Sequence, residues 1–140
     1  MVTFVDTSAL YAFLAADDSA HASALETFRQ LVLASERLVT HNYVVVESTA
    51  LVQRRLGVAA VRVLHDELLP LVDVVWVDEP LHRRAVDATR AAAQRDLSLV
   101  DWTSFLVMRD NDIRQAWAFD ADFDAQGFAT DVADRETEDA

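Results

Sequence analysis

The chain has no cysteine and no lysine, and only two glycines and two prolines in 140 residues. Without cysteine there are no disulfides and no thiolate metal sites. Without lysine there is no Schiff base, no lysine general base and no P-loop lysine. Glycine occurs only at Gly57 and Gly127. That excludes the Gly-rich loops whose backbone closes on a dinucleotide or a phosphate. No apolar run reaches the ~18 residues of a membrane span. No basic stretch precedes an apolar one at the N-terminus, so a secretory leader is not expected. These absences together suit a cytoplasmic protein.

What is abundant is negative charge. The formal net charge is −12, and every basic residue is arginine. The last ten residues, DVADRETEDA, contribute −4 of it, leaving −8 on the body. Such a surface repels nucleic acid unless something local reverses the sign, and it favours cations and basic partners.

The length predicts one domain with a sizeable core. Val2 to Val5 reads as a strand, and Asp6 ends it. A helical pattern carrying Leu10, Phe13 and Leu14 follows. A second helix is expected from about Ala20 to Glu36, with Leu25, Phe28, Leu31 and Val32 at helical spacing. Leu38 to Thr40 reads as a short strand. Tyr43 to Leu56 reads as a helix with Val46, Ala50, Leu51 and Leu56 toward the core, and Gly57 stands where a C-terminal cap belongs. Val58 to Leu69 is helical and Pro70 ends it. Val72 to Val77 is almost wholly apolar, the pattern of a central or well-covered strand. A long helix then runs from Asp78-Glu79-Pro80 to about Asp96, with proline in its first turn. Asp101 precedes another helix. Gln115 to Phe119 reads as a strand ending at Asp120, and Phe128 to Val132 as an edge strand. The segment 133–140 is acidic and expected to be disordered. Strands alternating with helices predict an α/β fold, a single-domain parallel sheet of four or five strands with helices on both faces.

Four acids occupy comparable places. Asp6 and Asp120 end strands, Asp101 sits at a helix start, and Glu47 lies near the start of another helix. In parallel α/β sheets ligands bind at the carboxyl ends of strands. Each acid also has a local explanation. Asp6 and Asp101 suit N-caps, Glu47 complements a helix dipole, and Asp120 suits a turn. Gathered together, however, four carboxylates repel one another unless a cation is present. Carboxylates and water suit Mg²⁺ or Mn²⁺. Such an ion can activate a water and neutralise a phosphoryl group in transit.

In this order and at these spacings, FVDTSAL, VVVESTAL, LSLVDWTSF and AFDADFDAQGF resemble the PIN-domain family, most closely its VapC-type toxin ribonucleases. The resemblance covers roughly residues 1–130, so residues 1–132 form the nuclease domain under this reading. It implies a PIN-like, Rossmann-like three-layer fold. It also implies a metal-dependent endoribonuclease leaving 5′-phosphate and 3′-hydroxyl ends, the toxin of a type II toxin–antitoxin system. The acidic quartet falls on Asp6, Glu47, Asp101 and Asp120, holding Mg²⁺ or Mn²⁺. Asp6 and Asp101 are the first choices as direct ligands. Glu47 ligates directly or through water, and Asp120 positions the nucleophile or a second ion. Thr7 or Ser8 orients the ligands, and Asp122 is a fifth acid. The resemblance further implies an RNA substrate, a VapB-type antitoxin whose C-terminal segment enters the groove, and a homodimer. The acidic tail matches no feature of the family.

Other readings compete. Residues 120–131 place acids at positions one, three, five and twelve of a calcium loop, but Ala125 stands where that loop requires glycine. A phosphoacceptor receiver lacks its lysine here. His21, His41, His65 and His82 show no metal-ligand spacing and read as packing or surface residues. Arg54 and Arg55 suit either RNA phosphate or a solvated helix face, and Trp102 suits burial more than stacking on a base. A catalytically silent scaffold that acts only by binding protein or RNA is the alternative to an enzyme, and intact acids speak against it.

Overall fold

The computed structural model describes residues 1–132. The expected disorder of 133–140 lies outside the described residues. Four parallel strands form one sheet flanked by helices. They are β1 (Val2–Val5), β2 (Arg37–His41), β3 (Asp73–Val75) and β4 (Gln115–Trp117), in the order β3-β2-β1-β4. The helices are α1 (Thr7–Leu14), α2 (His21–Leu33), α3 (Asn42–Leu56), α4 (Val58–Val63), α5 (Glu79–Ala92), α6 (Leu99–Asp110) and the single turn α7 (Asp122–Ala125).

β1 is central, and Thr3, Phe4 and Val5 are fully buried because the sheet is covered there on both faces. Chain order reverses at β1, since β2 and β3 lie to one side and β4 to the other. In open α/β sheets that reversal leaves a crevice beyond the carboxyl ends of the two strands flanking it. The ladder places Val5 opposite Trp117, and the Asp6 amide continues it by donating to the Trp117 carbonyl at 3.1 Å. Asp6 therefore stands at the mouth of this crevice, with Asp120 three residues beyond the end of β4.

Several expectations are corrected. The apolar run 72–77 is not central and is only partly covered, with Val72 buried and Val74, Val75 and Val77 half-buried. Only three of its residues pair, at the sheet edge beside β2, and Trp76 is 76% exposed. Phe128–Val132 contributes one bridge, Ala129 to Gln115, rather than an edge strand. In α3 the buried positions are Val44, Ser48 and Val52, while Val46 is 67% exposed and Ala50 is exposed. In α2 the inward stripe is Ala24, Thr27 and Leu31, and Leu25 and Val32 face outward. Both stripes use small or hydroxylated residues where helices approach closely, which a search for large apolar side chains passes over. The helix begun at Val58 gives way to a π-turn at Leu64–Leu68 and a 3-10 turn at Leu69–Leu71 before β3. Helix α5 stops at Ala92, where Ala93 takes a left-handed conformation at φ 52°. Gly57 does cap α3, and its φ of 94° with ψ of 176° is a conformation open to glycine alone.

Candidate active site

Asp6 is the N-cap of α1. Its Oδ2 accepts the Ser8 amide at 3.2 Å and the Ser8 hydroxyl at 2.7 Å, while none of the described residues donates to Oδ1. The Ser8 hydroxyl also accepts the Phe119 amide at 2.9 Å. One serine thus ties the Asp6 carboxylate to the segment leading into Asp120.

Asp101 is built in the same way from a different local motif. Ser98, not Asp101, is the N-cap of α6, and Asp101 is the third helical residue of a capping box. Its Oδ2 accepts the Ser98 amide at 2.9 Å and the Ser98 hydroxyl at 3.1 Å, and Oδ1 is again left without a donor among the described residues. The pattern Ser-x-x-Asp before an apolar run was the available signal for Ser98. At Asp120, Oδ1 accepts the Asp122 amide at 3.0 Å, a turn of the expected kind. Glu47 lies in the second turn of its helix, one residue further in than expected, because α3 begins at Asn42 rather than Tyr43.

The charges acting on these carboxyls come from one another. Burial first, then the Asp101 and Glu47 charges, push Asp6 up from 3.8 to about 6, against the opposing pull of the Ser8 hydrogen bonds. Glu47 is raised by desolvation and by Asp101, while the Thr7 hydroxyl lowers it. Asp101 is raised by desolvation, then by Asp120 and Asp96, with Ser98 opposing. Asp122 is pushed to about 6, chiefly by its hydrogen bond with Asp120. This chain of mutual influence brings Asp6, Glu47, Asp101, Asp120 and Asp122 into one electrostatic cluster. It adds Asp96, which no motif singled out. Among the described residues no arginine contributes to the shifts of Asp6, Glu47, Asp101 or Asp122, and none of the described ion pairs involves the cluster.

The hydroxyl residues divide between two acids. Ser8 serves Asp6, whereas Thr7 faces Glu47 and accepts the Ser48 hydroxyl at 3.2 Å. Trp102 packs edge-on against Phe105 with ring centroids 5.4 Å apart, as a core residue does. Arg55 lies over the Tyr11 ring at 5.4 Å. His41 is fully buried, in keeping with a packing role. The 120–131 segment forms the short helix α7 with Phe123 buried, which leaves no calcium loop.

Among the described residues, no three His, Cys, Asp or Glu side chains are grouped tightly enough to hold a metal ion as they stand. The donor chemistry nevertheless fits a divalent cation. A buried carboxylate that feels only other negative charges is disfavoured in its ionised form. Asp6 and Asp101 each offer one oxygen fixed by serine and one free. Oxygen donors of this kind suit a hard cation rather than a soft one.

Known proteins share this arrangement of sequence and fold. A PIN-domain family profile matches residues 3–129. The 23S rRNA-specific endonuclease VapC20 of Mycobacterium tuberculosis, in strains H37Rv and CDC 1551 / Oshkosh, is 39% identical over 127 residues, covering 89% of this chain and 94% of that protein. The crystal structure of Mycobacterium tuberculosis VapC20, a Sarcin-Ricin loop cleaving toxin, superposes with a TM-score of 0.77 and 34% identity over 93% of this chain and 98% of that one. FitAcB from Neisseria gonorrhoeae shares the fold, with a TM-score of 0.66 at 16% identity over 92% of this chain and 95% of that one.

Proposed function

The chain belongs to the PIN-domain family and is a toxin-type endoribonuclease, and from that premise we propose that Asp6, Glu47, Asp101 and Asp120 hold Mg²⁺ or Mn²⁺ to hydrolyse phosphodiester bonds in RNA. The observation that carries this reading is Asp6, 5% exposed, raised to about 6, and without a basic partner among the described residues. Such a group is costly to a fold unless a cation normally neutralises it.

Asp6 and Asp101 would be the direct ligands, with Ser8 and Ser98 holding one oxygen of each carboxylate in place. Glu47 completes the donor set beside Thr7. Asp120, linked to Asp6 through Ser8 and Phe119, would orient the attacking water or a second ion, and the Asp122 amide holds its carboxylate in place. The ion, when bound, supplies Lewis-acid stabilisation of the phosphoryl group and lowers the pKa of a water. Its charge also offsets the repulsion between RNA and a chain of net charge −12.

The similarity to VapC20 makes 23S ribosomal RNA the first substrate to test. The same similarity supports a small antitoxin partner of the VapB type, whose basic side chain suits an acidic groove. Exposed Val46, Val58, Val63, Leu71 and Trp76 offer apolar surface for that partner or for a second copy in a homodimer. The place of action is the cytoplasm, where ribosomal RNA is found. No helix among the described residues is long and apolar enough to cross a membrane.

The test is incubation of purified protein with 23S ribosomal RNA and Mn²⁺, with mapping of the new ends. The expected result is one or a few discrete cuts bearing 5′-phosphate, abolished by a chelator and by Asp6→Asn. Cleavage that persists in both conditions overturns the assignment of the quartet, and no cleavage of this RNA removes it as substrate.

A further inference from the structure

His41 is a fully buried ionisable side chain outside the acidic quartet, and nothing in the proposed chemistry uses it. It ends β2 and caps α3. Its Nδ1 accepts the backbone amides of Tyr43 at 3.2 Å and Val44 at 3.4 Å. With Nδ1 an acceptor, the ring proton is on Nε2, which donates to the Ser104 hydroxyl at 2.8 Å. Ser104 in turn donates to the Val100 carbonyl at 2.9 Å. Every donor and acceptor in this relay is matched in direction. The relay joins the N-terminus of α3, the helix that carries Glu47, to the first turns of α6, where Asp101 directly follows Val100.

We propose that His41 is a positioning residue of the site, fixing the separation between the Glu47 and Asp101 carboxylates by tying α3 to α6 through Ser104. The proposal rests on the reading that these two acids share a cation. No other side chain places an acceptor and a donor on opposite sides of one short rigid ring. Asparagine would cap α3 equally well but would not span to Ser104. Burial holds the imidazole neutral, with its pKa lowered to about 3, so the tie persists at any working pH.

The experiment is calorimetric titration of Mn²⁺ into the full chain, with melting temperature measured on the same samples. Ser104→Ala and His41→Asn each remove the tie, and Ser104→Ala keeps the test alive if His41→Asn does not fold. Thr103→Val is the control. It deletes a buried hydroxyl that bonds only to Leu99 of its own helix. Ser104→Ala and His41→Asn are expected to weaken Mn²⁺ binding measurably, by less than the roughly tenfold that follows loss of a partner bonded directly to a ligand, while Thr103→Val binds as wild type does. Cleavage by Ser104→Ala should recover at saturating Mn²⁺. Wild-type affinity in both tie variants, even with lowered melting temperatures, overturns the proposal. So does equal weakening in Thr103→Val, which would mean that any softening of α6 has this effect. If the wild type itself binds no Mn²⁺, the metal reading of the quartet fails, and the failure is separable because no variant is needed to see it.

Discussion

At Asp6, Oδ2 caps α1 and Oδ1 receives nothing from the described residues, so one side chain serves the fold and presents a free donor. Asparagine caps as well as aspartate does, which makes Asp6→Asn a probe of charge alone. The unfolded chain releases this proton near 3.8 and the folded chain near 6. Between those values the folded state holds the extra proton. Metal-free stability therefore falls as pH rises through that window and stays lower above it, by on the order of 3 kcal/mol. Asp6→Asn should accordingly be more stable than wild type at pH 7.5 without metal, and the gap should close as the pH falls to 4. His41 acts in the opposite sense, losing stability below its unfolded value of 6.5, but it is present in both proteins and cancels in the comparison. Denaturant titrations across pH check this, and a variant less stable than wild type at pH 7.5 would mark Asp6 as a structural cap. Ser8→Ala removes a hydrogen bond that holds the Asp6 pKa down, so the pH range over which metal-free stability falls should reach higher, as denaturant titrations of the variant across pH would show. The capping role of Asp6 and the turn at Asp120 were legible in the sequence because they depend on near neighbours. The role of His41 was not, because its partner lies 63 residues away.

Among the elements, helices α5 and α6 both open on a side-chain cap, yet only one of those caps touches the site. Ser98 caps α6 and fixes Asp101, while Asp78 caps α5 by accepting the Leu81 amide at 3.0 Å. Ser98→Ala and Asp78→Ala should each cost about 1 kcal/mol of stability. Only Ser98→Ala should also reduce cleavage at limiting Mn²⁺. Equal activity in the two variants would show that the Ser98 contact does not shape the site. The strands β1, β2 and β4 were readable, since short buried runs bounded by polar residues leave few alternatives. β3 was misread because an apolar run marks a strand without fixing its place in the sheet. The inward faces of α2 and α3 were misread because Ala24, Thr27 and Ser48 pack closely without being large.

For the whole molecule, a net charge of −12 is at odds with an RNA substrate unless a cation offsets it, as the proposed site would allow. Anything that binds only the folded state stabilises it, by about 2.7 kcal/mol at a hundredfold excess over Kd. Mn²⁺ should therefore raise wild-type stability and raise that of Asp6→Asn much less, reversing their metal-free order. Urea unfolding with and without Mn²⁺ gives both numbers. The sequence showed that the acids sit at comparable places along an α/β chain. It did not show which ends meet, because strand order is set by how the helices pack. The order β3-β2-β1-β4 puts β1 beside β4 and so brings the ends carrying Asp6 and Asp120 together. The central claim is that these carboxylates are a divalent-cation site, and the direct measurement is calorimetric titration of Mn²⁺ into wild type and Asp6→Asn at pH 7.5 and pH 5. The account predicts saturable binding by wild type that weakens at pH 5, where Asp6 is protonated, and strongly impaired binding by the variant at both. Equal binding by the two proteins, or none by wild type, would contradict it.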